Sequence, residues 1–215
     1  MTSVAEPGAL TWLRTRVSDP LVGPMLRELG DEYSSRYGKD AHRELARYPA
    51  EEFDPPHGVL LLLLEHGEPV AGGAFRRYDH TDSTDSTDST DSTDSTVNGT
   101  DTDTDTVNGT DAPAGINSTT AELKRIWTHS AHRRRGLARL VVAELERVAA
   151  DHGYRRIFLT TGPRQPEARG LYLTTGYTPL FDTSADPETI GPLAFEKHLS
   201  DRSPASAESL TGRKA

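Results

Sequence analysis

The chain has no cysteine among its 215 residues. That excludes a disulfide framework, a thiolate metal site and any acyl-enzyme formed through sulfur, and it favours a cytoplasmic setting over an oxidising one. Long apolar runs are missing too. The longest, Val59 to Leu64, is six residues, against the ~20 that a membrane helix requires. The first twenty residues lack the apolar stretch of a secretory signal, so the expectation is a soluble protein with no membrane partner. Lysine is scarce: 4 residues against 20 arginines. Apolar content is only 34%, low enough to expect a part of the chain that builds no core.

That part is easy to find. Residues 79 to 111 carry ten aspartates and no lysine or arginine. Without them the chain has 23 acidic against 24 basic side chains, so net charge points neither to nucleic acid nor to a uniformly acidic surface. The Thr-Asp-Ser triplets from Thr81 onward have almost nothing apolar to offset the entropy of ordering and repeat like charges every two or three positions. Residues 80–119 therefore read as a disordered, low-complexity insert in a loop between two strands, tolerated because closure cost grows slowly with loop length. Calcium binding is the rival reading of so many aspartates, but the glycine and closing glutamate of a calcium loop are absent. Sequons at Asn98, Asn108 and Asn117 read as chance in a cytoplasmic chain. Residues 200–215 read as a disordered tail.

The remainder, 1–199 without the insert, is the size of one domain. Residues 10 to 17 alternate as a strand should. Leu21 to Tyr37 has helical spacing and meets a left-handed glycine cap at Gly38. A shorter helix is predicted over Ala41 to Arg47, and Pro55-Pro56 breaks regular structure. The run from Val59 to Asp79 reads as an antiparallel hairpin turning at His66 to Pro69. After the insert, Ala121 to His129 is a strand. Leu123 and Ile126 are an odd number of residues apart, so both face the core only across a bulge. The next helix has an apolar face of Leu137, Leu140, Val141, Leu145, Val148 and Ala149, and ends at Gly153. A strand from Arg155, a short helix closed by Gly176 and a last strand from Pro192 to Leu199 complete an α/β mixed sheet.

Chemistry concentrates where strand meets helix, at Arg133-Arg134-Arg135-Gly136-Leu137-Ala138. Orphan amides, the positive end of a helix dipole and small residues at Gly136 and Ala138 are what a phosphate needs. The plain alternative is a solvated cationic turn. The segment resembles the Q/R-x-x-G-x-G/A signature of the GNAT superfamily of N-acetyltransferases, and the order of elements agrees. A second stretch, Gln165-Pro166-Glu167-Ala168-Arg169-Gly170-Leu171-Tyr172 followed by Thr175-Gly176-Tyr177, resembles that family's N-x-x-A-x-x-L-Y-x-x-x-G-F/Y, with Gln165 in the asparagine position. Ser130 stands where the family commonly has proline.

The resemblance implies an acyl-CoA N-acyltransferase fold whose fourth and fifth strands splay to admit acetyl-CoA as cosubstrate, with no metal. Its diphosphate would meet the loop amides of Arg133, Arg134, Arg135, Gly136, Leu137, Ala138 and Arg139, and its pantetheine arm would meet Ile126, Trp127, Thr128 and Gln165. Acetyl would pass directly to a primary amine of a small molecule or peptide. An amine with a pKa near ~10 needs a base, for which Glu122 is the candidate and Glu52 the reserve. The alternative for Glu122 is an exposed strand carboxylate paired with Lys124 or Arg125. Tyr172 is placed by the resemblance as the acid that protonates the departing thiolate, its alternative being a half-buried core tyrosine. A strand N–H near Thr128 would meet the oxyanion. His129 and His132 have suggestive metal spacing but no evident third ligand. Nucleic acid is not an expected partner, and association as a homodimer is left open. A non-catalytic acyl-CoA sensor is the rival from another class. A nucleic-acid binder using the arginines would show steep salt dependence.

Overall fold

The computed structural model describes residues 9–78 and 119–199. The chain divides into two units, 79–117 and the remainder. The aspartate-rich insert up to residue 118 and the tail 200–215 lie outside the described residues, and the described strands and helices all belong to the larger unit.

Seven strands form one sheet in the order β1-β2-β3-β4-β5-β7-β6. The first four, β1 (Leu10–Thr15), β2 (Val59–Glu65), β3 (Glu68–Arg77) and β4 (Thr120–Thr128), are antiparallel neighbours. Next, β5 (Arg156–Thr161) joins β4 in parallel. The last strand, β7 (Leu193–His198), returns antiparallel to β5 and carries the two-residue β6 (Thr178–Pro179) on its far side. The hairpin turn is tighter than the sequence implied. Only His66 and Gly67 lie between the strands, both at positive φ, as the two-residue turn that matches strand twist requires.

Both sheet faces are covered. Along β2, Val59, Leu61 and Leu63 enter one core cluster while Leu60 and Leu62 enter the other, so the unbroken apolar run reflects burial on two sides. One face is closed by α1 (Gly23–Tyr37), through Met25 and Leu29. Its entry is fixed by Asp19, whose carboxylate accepts from the Leu21 amide at 2.8 Å and the Thr15 hydroxyl at 2.6 Å. Gly38 has the positive φ expected of a cap, but its ψ of 168° is extended rather than left-handed helical. The next segment, Lys39–Ala46, forms 3-10 turns instead of an α-helix; an isolated stretch this short gains too few i→i+4 bonds to hold one.

The opposite face is closed by α2 (Leu137–Asp151) and α3 (Pro166–Thr174). On α2 the expected apolar stripe is present except for Leu140, which is 47% exposed, while Val142 is buried in its stead. The buried arc is centred on Leu145, and Leu140 falls off its edge. A short α4 (Pro187–Ile190), like β6, had no sequence signal strong enough to be seen.

One close approach sets a testable constraint. A Cβ on Gly58, just before β2, would lie 2.0 Å from the Glu52 carbonyl oxygen and 2.6 Å from Phe53 Cα. Backbone cannot yield as a side-chain tip can. Gly58→Ala is expected to destabilise the fold by about 3 kcal/mol, read as a lower urea midpoint at unchanged m; an unchanged midpoint would show that the 50–58 turn is free to move.

Candidate active site

The sheet opens at its centre. The β4–β5 ladder runs through Thr120↔Arg156, Ala121↔Ile157 and Glu122↔Phe158 and stops there, although β4 continues to Thr128 and β5 to Thr161. Each strand keeps its outer partner: β3 follows β4 to Thr128, and β7 follows β5 to Thr161. The two inner edges therefore diverge with their backbone groups unpaired across the gap. The cause is visible in the register. Lys124 opposes Ala74 but Trp127 opposes Gly72, so β4 holds one extra residue, with Arg125 at φ +59°. This is the bulge that Leu123 and Ile126 demanded; both pack in the α2-side cluster while Trp127 packs in the other. Glycine at position 73 admits the bulge, since a Cβ there would lie 2.7 Å from Ile126 Cδ1.

Beyond β4, a 3-10 turn at Ser130–His132 leads into the arginines. Arg134 (φ +63°) and Gly136 (φ +78°) both take the left-handed conformation, which turns successive amides toward one side. Gly136 is the N-cap of α2, with no side-chain cap and no acidic residue in the first turn. The first helix amide with a backbone acceptor is that of Arg139, 3.1 Å from Gly136 O. Leu137 and Ala138 thus present open N–H groups at the positive end of a fifteen-residue helix. A Cβ on Gly136 would meet nothing within 4 Å, so there is space before them.

The arginines divide into two kinds. Arg133 donates to Glu32 on α1 at 2.9 Å. Arg135 makes a bidentate pair with Glu65 at 2.6 and 2.9 Å and holds that carboxyl below its ordinary range. Arg139 reaches Thr174 Oγ1 at 3.0 Å. Arg134 is exposed, with no partner among the described residues. Two of the loop arginines therefore brace the turn, and Arg134 is left exposed beside it.

Glu122 is 3% exposed and lies directly across the ladder from Arg76. Its Oε2 accepts from Arg76 Nε at 2.8 Å and pairs with Arg76 Nη2 at 2.7 Å, and its Oε1 pairs with Lys124 at 2.8 Å. Arg76 Nη1 bonds Glu52 at 2.8 Å, joining the two candidate carboxylates in one cluster above the Tyr48 ring, 4.0 Å from the guanidinium. The pair with Lys124 is the one foreseen, but the carboxylate is buried rather than exposed, because it faces the α1 side of the sheet, and its second partner is Arg76 rather than Arg125.

Tyr172 is 5% exposed on α3, ringed by Tyr177 and Phe195 at centroid distances of 5.5 Å. Its hydroxyl has no hydrogen-bond partner among the described residues, and burial pushes its pKa well above the ordinary tyrosine value. Nearby, Tyr33 is pushed up to about 12 by burial and by Glu32 and Glu44. Gln165 folds back on its own turn: Oε1 accepts from Thr161 Oγ1 and from the Gly162 amide, both at 2.9 Å. Thr128 Oγ1, at the end of the open edge, is buried without a partner. His129 and His132 stack edge to face at 5.4 Å, with the His129 Nδ1 accepting from the Ala131 amide at 3.2 Å.

Sequence reading missed the part that α1 plays at the site. Glu28 accepts from Trp127 Nε1 at 2.9 Å and from the Ser130 amide and hydroxyl at 3.0 and 2.8 Å. Burial would raise its pKa, but those bonds hold it below its ordinary value. Glu32 faces Arg133, Arg36 and Gln165. No local motif marks either carboxylate, because most of their partners lie about a hundred residues away.

The architecture recurs in solved structures. The GNAT domain of PAT from S. lividans is 18% identical, with a TM-score of 0.55 over 92% of this chain and 100% of its own. The PaiA N-acetyltransferase of Thermoplasma acidophilum, in complex with coenzyme A, is 10% identical at 0.55, covering 88% of this chain and 99% of its own. YncA of Salmonella typhimurium, with its cofactor acetyl-CoA, is 13% identical at 0.55, covering 93% and 99%. No curated protein sequence matches the chain. At these identities the structures establish a shared acyltransferase fold. The model of the acetyltransferase (GNAT) family matches residues 24–177, and the chain belongs to that family. Among the described residues, no helix is long and apolar enough to cross a membrane.

Proposed function

We propose that this protein transfers an acetyl group from acetyl-CoA to a primary amine, of a small molecule or peptide, in a direct ternary complex. One observation carries the reading: the unpaired inner edge of β4 is followed, after the Ser130–His132 turn and the arginines, by an uncapped, acid-free helix start at Gly136. A diphosphate suits the amides of Gly136, Leu137 and Ala138 with Arg134 and Arg139 at its flanks; Arg133 and Arg135 hold the loop in shape through Glu32 and Glu65. An extended amide-bearing arm suits the open edge from Ile126 through Trp127 to Thr128, where the orphan Thr128 hydroxyl awaits a partner. Gln165 contributes by shaping the facing turn, since its amide oxygen is already doubly engaged.

Acetyl-CoA supplies an activated thioester; the chain's own groups supply orientation and proton transfer. Tyr172, kept protonated by burial, holds a proton at Oη for the thiolate that acyl transfer releases. Glu122 receives the amine's proton through water, because Arg76 occupies one oxygen and Lys124 leaves only a single lone-pair direction open on the other. That occupancy also favours a second reading, a non-catalytic acyl-CoA sensor. Free-thiol release across an amine panel, run beside calorimetric titration with CoA, separates them. Acetyl transfer predicts acceptor-dependent thiol release; heat on CoA addition with no release from any amine would leave the sensor standing.

A further inference from the structure

Arg125 is the charged group that the proposed reaction does not use, and its surroundings do not account for it. It sits on the β4 bulge at φ +59°, a conformation costly for a residue with a side chain, which persists at positions the surrounding structure enforces. It is 8% exposed. One amino group donates to the Leu45 carbonyl at 2.8 Å, the guanidinium lies 3.9 Å over the Phe53 ring, and the other amino group, Nη1, is buried with no hydrogen-bond partner. No carboxylate pairs with it among the described residues.

The neighbouring cations on this face are matched. Arg76, Lys124 and Arg125 lie there, and the first two share Glu52 and Glu122. Glu44, which faces Tyr33, is paired with Arg47. Of these three cations, Arg125 alone has no carboxylate partner among the described residues. Burying a guanidinium without an anion is costly, and such groups in folded proteins are paired, most often bidentately with a carboxylate or phosphate. Nothing among the described residues supplies that anion, and a bound ligand would.

Position says which molecule brings it. Arg125 is three residues beyond Glu122, the last residue of β4 paired to β5, and directly precedes Ile126 on the open edge. It faces the α1-side cluster, while Tyr172 belongs to the cluster under α2 and α3. The pantetheine edge lies between the two. An acceptor held at Arg125 therefore enters from the side opposite the proposed acid, as attack and leaving-group departure require. Enclosure by Leu45, Phe53 and Tyr33 suits a compact ligand.

We infer that Arg125 is the anchor for a carboxylate on the acceptor, so that the substrates are small amines that also bear a carboxylate, of the amino-acid class. The inference rests on the acetyl-transfer reading and narrows it. Polyamines and aminosugars, which add only positive charge, are disfavoured by the same unmatched cation.

The test compares the common amino acids with their methyl esters and decarboxylated amines, using the full chain, acetyl-CoA and thiol release. Wild type is expected to favour the best amino acid over its ester by about 10²-fold in kcat/KM, the scale on which a buried polar group left unpaired rejects an analogue. R125Q should cut turnover of the acid about 10²-fold and leave the ester within about threefold, abolishing the preference, and R125K should restore part of it. The N-acetylated amino acid, a carboxylate that cannot react, should inhibit wild type competitively and R125Q weakly. Equal use of acid and ester by wild type overturns the inference and leaves acetyl transfer intact. So does an equal loss of both in R125Q, which would mark Arg125 as structural or as acting on the reacting carbonyl. If R125Q does not fold, R125K and the wild-type comparison decide alone. Absence of thiol release from every amine, with CoA still bound, sinks the acetyl-transfer reading itself and the inference with it.

Discussion

Gly136→Asp is expected to weaken CoA binding by about 10²-fold while leaving thermal stability nearly unchanged. The two halves of this result have separate causes. For folding, aspartate gains about 0.3 kcal/mol over glycine as an N-cap, and its charge complements the helix dipole for about 0.5 kcal/mol more. Against that stands the left-handed φ of +78°, which aspartate tolerates better than most side chains at a cost of about 1 kcal/mol. Space is no obstacle, since a Cβ would meet nothing within 4 Å. For binding, everything is adverse. The new carboxylate competes for the open amides of Leu137 and Ala138 and places a negative charge where the diphosphate is read to sit. A 10²-fold loss corresponds to about 2.7 kcal/mol, modest for an anion deprived of two donors and set beside a like charge. Gly136→Ala serves as the control, adding bulk and strain without charge; it should bind more tightly than the aspartate variant despite melting lower. Calorimetric titration and a melting curve measure both quantities on the same preparations. Binding of CoA by the aspartate variant at wild-type strength would show that this turn is not where the diphosphate lies.

Much of the frame was readable because local pattern and tertiary demand agreed. The bulge is the clearest case: Leu123 and Ile126 cannot both be core residues on an unbroken strand, and the register shows the extra residue at Arg125. The stripe on α2 was read with one error, Leu140 for Val142, because periodicity gives a face but not the edge at which the neighbouring sheet stops covering it. What escaped was long-range. Glu122 was assigned Lys124 or Arg125 as a partner because strand neighbours are all that a sequence displays; its second partner, Arg76, comes across the ladder from β3. The same bulge that turns Arg125 into the left-handed region leaves it unpaired with Glu122. The α1 carboxylates Glu28 and Glu32, which tie that helix to the end of β4 and to the arginine loop, occupy ordinary helix positions and announce nothing in sequence. The loop's geometry was legible because it lies in the backbone, where a glycine and a helix start are written in the sequence itself. Side-chain roles were less so.

Tyr172→Phe should lower kcat by about 10²- to 10³-fold, within the usual span for loss of a positioned acid, with the KM for acetyl-CoA changed less than about threefold. The fold should hardly notice near neutral pH. Phenylalanine keeps the ring contacts with Tyr177 and Phe195, and no hydrogen bond among the described residues is lost. The pH dependence supplies a second signature. Burial raises the Tyr172 pKa above its ordinary value, so the folded protein keeps this proton through the range in which an exposed tyrosine would release it. Wild-type turnover should therefore show no alkaline fall from this group below about pH 10. Stability behaves in the linked sense. Tyr33, at about 12, and Tyr177, also raised by burial and by Glu146, share the property. For each, the folded pKa exceeds the unfolded one, so the contribution to stability is complete below pH ~10 and is lost as pH climbs through the folded value. Each tyrosine adds up to about 1.4 kcal/mol per pH unit to that decline. Removing the Tyr172 hydroxyl should make the alkaline decline shallower by one such increment, read from urea midpoints between pH 10 and 12. A variant that turns over at the wild-type rate yet shows the shallower decline would confine Tyr172 to the core and require another proton source for the departing thiolate.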